Sequence, residues 1–214
     1  MHPLMRKAGH RFLVPTCTGL GEREHLATPA VNLDTHIQDL LGVIKFEELS
    51  DVVLVAHSYG GMVATGVADR VPERIRQLIY VDAFVPRDGQ SLFDLLPADA
   101  LARMRQGLVD GDGWRVPPMP VPADTSKADQ KWIEQFRMPQ PLHCFDQPLR
   151  LANGNMQIPR AYIKAKRLSP GDPFVQFAQR AQQEGWSFRE IDSSHSAQIT
   201  APDALMQLLD ELAT

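Results

Sequence analysis

The run Asp51-Val-Val-Leu-Val-Ala-His-Ser-Tyr-Gly-Gly-Met-Val-Ala-Thr65 constrains this chain more than any other stretch. Val52 to Val55 are β-branched or aliphatic with no helical period, which suits a strand buried on both faces of a parallel sheet. Ser58 follows among Ala56, Gly60 and Gly61, and a helical segment then runs from Met62 to Ala68. A strand that becomes a helix within one residue forces that residue into strained backbone geometry, and the near-touching elements demand small neighbours. In return the apical side chain stands clear of the sheet. The helix N-terminus behind it offers unpaired N–H groups to a developing oxyanion. The spacing is that of a G-x-S-x-G nucleophile turn, with Ala56 in place of the first glycine. An ordinary turn with serine as N-cap has the same local pattern, so the rest of the chain must decide.

Reading in order, Met1 to Gly9 is expected to end a helix, with Gly9 as its stop, and Arg11 to Thr16 to form a strand. Asp34 is expected to cap a helix whose Ile37, Leu40, Leu41 and Ile44 share one face. After the Ser58 strand and its helix, Gln77 to Val81 is a further apolar strand, closed by Asp82-Ala-Phe-Val-Pro86. Alternating strands and helices predict an α/β fold with a mostly parallel sheet covered by helices. From 87 to 159 the period breaks into short helical pieces and a Pro-rich run, with scattered Met104, Trp114, Met119, Trp132, Phe136, Met138, Phe145 and Met156. An insertion this long between sheet strands is expected to be a cap, its apolar residues forming the cap's own core or lining a pocket. The sheet core, 1–86 and 160–214, resumes with Ala161 to Lys166. A helix through Phe174, Phe177 and Ala181 follows, then the strand Ser187 to Ile191. A closing helix is expected to be boxed by Thr200 and Asp203.

Composition removes several function classes. Over 214 residues the net charge is −4 and no basic block occurs, so nucleic acid is not an expected partner. No apolar run is long enough to span a bilayer, and Met1 to Lys7 lacks a signal-peptide core. Cys17 and Cys144 stand alone without metal-like spacing, which suits a reducing cytoplasm. The loop Thr18-Gly-Leu-Gly-Glu-Arg23 is not a dinucleotide site, because Glu24 replaces the third glycine and Glu22 adds charge where a pyrophosphate would sit.

A serine nucleophile needs an imidazole to take its proton, and a group of ordinary pKa near 6.5 serves at neutral pH. Of the seven histidines, only His195 lies in the loop after the last strand; His57 is expected to point away from the serine. Two acids compete to orient His195. Asp172, before Pro173, is explained as a helix cap. Asp82 ends an apolar strand next to that of Ser58, where a charge is costly unless it is partnered, and it is preferred.

His57-Ser-Tyr-Gly-Gly-Met62, the preceding Val-Val-Leu-Val, Val81-Asp-Ala-Phe-Val-Pro86 and His195 resemble α/β-fold hydrolases of the plant methylesterase and hydroxynitrile lyase group and their bacterial relatives. The resemblance implies an α/β-hydrolase fold and a serine–histidine–aspartate mechanism with no metal or organic cofactor. Ser58 and His195 match the family's serine and histidine, and the backbone N–H of Tyr59 matches one oxyanion donor. The family's aspartate would follow the strand Ala161 to Lys166, where this chain reads Arg167-Leu-Ser-Pro; haloalkane dehalogenases, by contrast, place their acid where Asp82 stands. The family also begins with strands and a His-Gly loop not found here, so an N-terminally truncated reading is expected. The expected activity is carboxylesterase-like cleavage of esters or lactones of small apolar acids or alcohols. A hydroxynitrile lyase or an inactive binding remnant is the alternative. The expected partner is a small-molecule ester, with a homodimer as the candidate assembly.

Overall fold

The computed structural model describes residues 1–153, 157–167 and 171–213, the side chain of residue 109 excepted. Its frame is a parallel sheet of four strands: β1 (Val52–Ser58), β2 (Ile75–Ala83), β5 (Arg160–Ala165) and β6 (Ser187–Ile191), in the order β1-β2-β5-β6. Continuous apolar runs place β2 and β5 at the centre, whereas β1 and β6 form the edges; Val52 to Val55 are therefore not buried on both faces as expected, and Val55 is exposed. Leu78, Ile79, Tyr80 and Val81 of β2 are all buried, as are Ala161, Tyr162 and Ile163 of β5.

Alternation along the strands splits the core in two. Leu78, Tyr80 and Tyr162 pack with Ile37 and Ile44 of α2 (Leu33–Phe46), Met62 and Val67 of α3 (Gly60–Arg70), and Phe177 and Ala181 of α8 (Val175–Gln183). Ile79, Val81, Ala161 and Ile163 face the other way, onto Ala197 of α9 (Ala197–Thr200) and Leu205 and Leu209 of α10 (Pro202–Ala213). The first helix, α1 (His2–Lys7), ends near Gly9, whose φ of 89° is the left-handed stop that glycine permits.

Four further local expectations are corrected. Arg11 to Thr16 is not a strand: among the described residues no strand pairs with it, and β1 stands at the edge of the sheet. Side chains hold the segment instead, with Arg11 Nη2 on Glu47 at 2.6 Å and Arg23 Nη1 on the Thr16 carbonyl at 2.9 Å. Leu13, Val14 and the 82% exposed Phe46 line an open groove of about 490 Å³ whose walls include none of Ser58, Asp82 and His195. The cap of α2 is Asn32, which shares a reciprocal box with Thr35; Asp34 sits in the first turn and pairs with Arg70. Asp172 does not start α8, because Pro173 and Phe174 form a turn before Val175; its Oδ1 accepts from the Phe174 N–H at 2.8 Å. Thr200 belongs to α9, where its hydroxyl meets the Ser196 carbonyl at 3.3 Å, rather than boxing α10.

Between β2 and β5 run α4 (Leu92–Leu95), α5 (Ala98–Asp110), β3 (Arg115–Val116), α6 (Lys127–Glu134), β4 (Gln140–Pro141) and α7 (His143–Asp146). β3 and β4 pair as a small antiparallel ribbon. Met104 and Phe145 are buried and join the main core, whereas Met119, Trp132 and Phe136 are exposed. Met156 and residues 168–170, part of the run after β5, lie outside the described residues.

Candidate active site

Ser58 closes β1 with φ at 54°, a left-handed conformation that a non-glycine residue holds only when its surroundings enforce it. Tyr59 is the N-cap of α3, so its backbone N–H opens that helix beside the Ser58 hydroxyl. The steric demand at this turn falls on Gly61: a Cβ there would drive into the Phe84 carbonyl oxygen. At Gly60 an added Cβ would meet only the Ala56 methyl, at an ordinary 4.0 Å.

Asp82 reaches the same point from the neighbouring strand by a bulge. The ladder pairs His57 with Val81 and Ser58 with Ala83, leaving Asp82 as the extra residue, at φ 42°. A bulge re-aims a side chain locally, and this one turns the Asp82 carboxylate along the sheet's C-terminal rim. There its Oδ2 lies 2.8 Å from His195 Nδ1, and His195 Nε2 lies 3.0 Å from Ser58 Oγ. A carboxylate only accepts, so Nδ1 carries the proton and Nε2 is left to accept from the serine.

Two rings pack against the imidazole. Phe174 stacks on His195 with centroids 4.7 Å apart and 10° between planes. His57 is the second ring, tilted by 37° with centroids 4.4 Å apart, and its Nε2–H donates to the His195 carbonyl at 2.7 Å. His57, expected to point away from the serine, thus lies against the histidine of this site. Desolvation, and then the adjacent His195, push its own imidazole down to about 3, so it stays neutral.

Asp82 is almost fully buried, which alone would raise its carboxyl; hydrogen bonds from His195 and Lys164 outweigh this and hold it below the usual carboxylate range. Lys164 was not foreseen. Its ammonium, 7% exposed, touches Asp82 Oδ1 at 2.7 Å and Asp172 Oδ2 at 3.0 Å. Asp172 thus faces Lys164 and the Phe174 N–H, while Asp82 faces His195.

Behind the turn, the buried His36 donates from Nε2 to the Thr18 carbonyl at 2.9 Å and accepts at Nδ1 from the Tyr59 hydroxyl at 2.9 Å. Burial lowers the His36 imidazole, consistent with the neutral form that this pairing needs. Cys17 and Cys144 are free thiols pushed up to about 12 and about 11, chiefly by burial. Among the described residues no cluster of His, Cys, Asp and Glu could hold a metal ion. Nor is any described helix long and apolar enough to cross a membrane.

Residues 1–208 match the model of the alpha/beta hydrolase family. The carbendazim hydrolyzing esterase of Nocardioides sp. (strain SG-4G) is 41% identical over 219 residues, covering 97% of this chain and 90% of that protein. Methylesterase 9 of Arabidopsis thaliana is 34% identical over 85 residues, 39% of this chain and 33% of its own length. Among solved structures, an extracellular alpha/beta-hydrolase from a Paenibacillus species aligns with a TM-score of 0.85 at 26% identity, covering 98% of this chain and 90% of that one. With a family model spanning nearly all of its length and a relative matched across 97% of it, the chain belongs to the alpha/beta hydrolase family.

Proposed function

We propose that this chain cleaves esters or lactones of small apolar acids or alcohols through an acyl-enzyme on Ser58. That it is a carboxylesterase-like hydrolase follows from its relatives, a carbendazim hydrolyzing esterase and methylesterases among them. The observation that carries the residue roles is the unbroken hydrogen-bonded line from Ser58 Oγ through His195 to Asp82, at 3.0 and 2.8 Å.

Ser58 Oγ attacks the ester carbonyl carbon as its proton passes to His195 Nε2. Asp82 keeps the imidazole in the accepting tautomer and offsets its charge once protonated. The carbonyl oxygen, now negative, is met by the Tyr59 N–H at the start of α3. As the intermediate collapses, the C–O bond to the alcohol breaks and His195 returns its proton to the leaving oxygen. Water, deprotonated by His195, then releases the acid by the same steps in reverse order.

Residues 87–159 act as the cap over this centre. Phe145 supports that reading: its ring lies 5.4 Å from that of Tyr59 and stacks on Phe93 at 6.3 Å, which brings an apolar wall from the insertion to the nucleophile turn. The two free cysteines favour a reducing cytoplasm. The test is labelling by a fluorophosphonate together with turnover of acyl and alkyl esters of graded size, carbendazim included because the 41% relative hydrolyses it. Labelling that is lost in Ser58→Ala, with the circular dichroism unchanged, is expected. Labelling that survives this change would remove Ser58 from the role, and ester turnover absent from a folded, monodisperse protein would favour a binding remnant.

A further inference from the structure

Lys164 is a buried lysine near the C-terminal end of β5, between Ile163 and Ala165, both also buried. An ammonium removed from water is costly unless every donor is used. Here three protons meet three acceptors: Asp82 Oδ1 at 2.7 Å, the Ala165 carbonyl at 2.8 Å and Asp172 Oδ2 at 3.0 Å. The acylation steps proposed above make no use of it.

The charge count shows what such a lysine can do. Asp82 and Asp172 are two carboxylates with 3% and 10% exposure, joined through one cation, so the cluster carries a single net negative charge toward His195. That charge matches the imidazolium formed in each half-reaction. Without Lys164, the neighbouring Asp172 would add a second uncompensated negative charge near the ring and raise the pH at which it acts as a base. Lys164 also occupies Oδ1 of Asp82, leaving Oδ2 to His195.

We propose that Lys164 is a positioning residue that fixes the Asp82 carboxylate toward His195 and, by sharing its charge with Asp172, sets the pH at which His195 becomes a base. The inference rests on the acyl-enzyme reading for its catalytic meaning, but its charge effect can be read without turnover. The other groups facing His195 do not supply this control. From β1, His57 is neutral at working pH. Phe174 is uncharged, and the Tyr162 hydroxyl is spent on the Ala83 carbonyl at 3.0 Å. On the rim around Ser193 and Ser194, Arg167 pairs with both Asp124 and Asp192 at 3.1 Å, in contact with solvent.

The experiment is an NMR titration of the His195 imidazole, assigned against His195→Gln, in the unmodified protein and in Lys164→Gln, Asp172→Asn and the double variant. Lys164→Gln leaves two negative charges and is expected to raise the midpoint by about one pH unit, the lower end of what a close buried charge does. Asp172→Asn leaves none and is expected to lower it. The double variant restores the single charge and is expected to return the midpoint to that of the unmodified protein, with the acidic limb of kcat/KM following in each case. Midpoints that stay in place, or move in the same direction for both single variants, would overturn the proposal and leave Lys164 a structural ion pair. Should Lys164→Gln fail to fold, Asp172→Asn alone decides: a lowered midpoint supports the proposal and an unmoved one defeats it. Fluorophosphonate labelling of the unmodified protein runs alongside, so a failed acyl-enzyme reading shows as missing label, whatever the titration gives.

Discussion

Ser58 and Asp82 stand at the C-terminal ends of neighbouring parallel strands, and both are held at positive φ, 54° and 42°. The first conformation lifts a hydroxyl off the sheet; the second, through a bulge, brings a carboxylate along the rim to the histidine between them. Asp82→Asn should keep the shape and lose the preferred tautomer of His195. We expect kcat to fall by about 10⁴, as when the acid of a comparable triad is amidated. Steady-state kinetics on an ester that the unmodified protein turns over checks this, and a loss smaller than tenfold would refute the assignment of Asp82 as the acid.

The two glycines after Tyr59 should separate cleanly. Gly61→Ala forces the helix start away from the Phe84 carbonyl, which is backbone and cannot swing aside. A destabilisation of about 1–3 kcal/mol is expected, in the range of other overpacked sites. Gly60→Ala meets only the Ala56 methyl and should be neutral or slightly stabilising. Urea denaturation of both variants gives the comparison.

His57 should make the protein acid-sensitive above the range of its carboxylates. Unfolded, its imidazole titrates near 6.5; folded, desolvation and the facing His195 hold it at about 3. Between those values the unfolded chain binds a proton that the native state refuses. Stability is therefore complete above the unfolded value and declines as pH falls toward 3, by at most about 1.4 kcal/mol per pH unit. His57→Gln should flatten that decline. Urea midpoints at pH 7 and pH 5, above the carboxylate window, would test it; an unchanged pH dependence in the variant would contradict this account.

Tyr59 should matter through its backbone. Tyr59→Phe keeps the N–H at the start of α3 but removes the hydroxyl that donates to His36 Nδ1, leaving a buried acceptor without its partner. We expect about 1–3 kcal/mol less stability, and kcat changed by less than tenfold. A fall in kcat of several hundredfold with unchanged stability would place the phenol itself in the reaction.

The sheet was legible because Val52–Val55, Leu78–Val81 and Ala161–Ile163 are apolar runs without helical period, which suit a parallel sheet with covering helices. Asp82 stands out for the complementary reason: a charge ending such a run has no local use. Lys164 carries the same signal, a charge between Ile163 and Ala165 that is costly unless it is partnered. Arg11 to Thr16 was misread because its side chains favour a strand, whereas strand formation needs a partner that local sequence does not reveal. His57 was misread because alternation along a strand says which face a side chain takes, not which distant loop will cover that face. Asn32 was passed over because Asp34 is an equally good cap by residue type, and only the path of the chain separates them.

The line from serine to acid joins residues that lie far apart in the chain: 137 positions separate Ser58 from His195, and 113 separate Asp82 from His195. Closing such long loops costs entropy before any contact is gained, and parallel pairing is slow to assemble for that reason. Half of the site can therefore be native while the whole is inert: β1 and β2 bring Ser58 beside Asp82 as soon as they pair, but in the proposed mechanism neither acts until the loop carrying His195 has docked. In refolding, secondary structure should return well before reactivity toward a fluorophosphonate. The interval between them measures how long the chain exists as a folded sheet without chemistry.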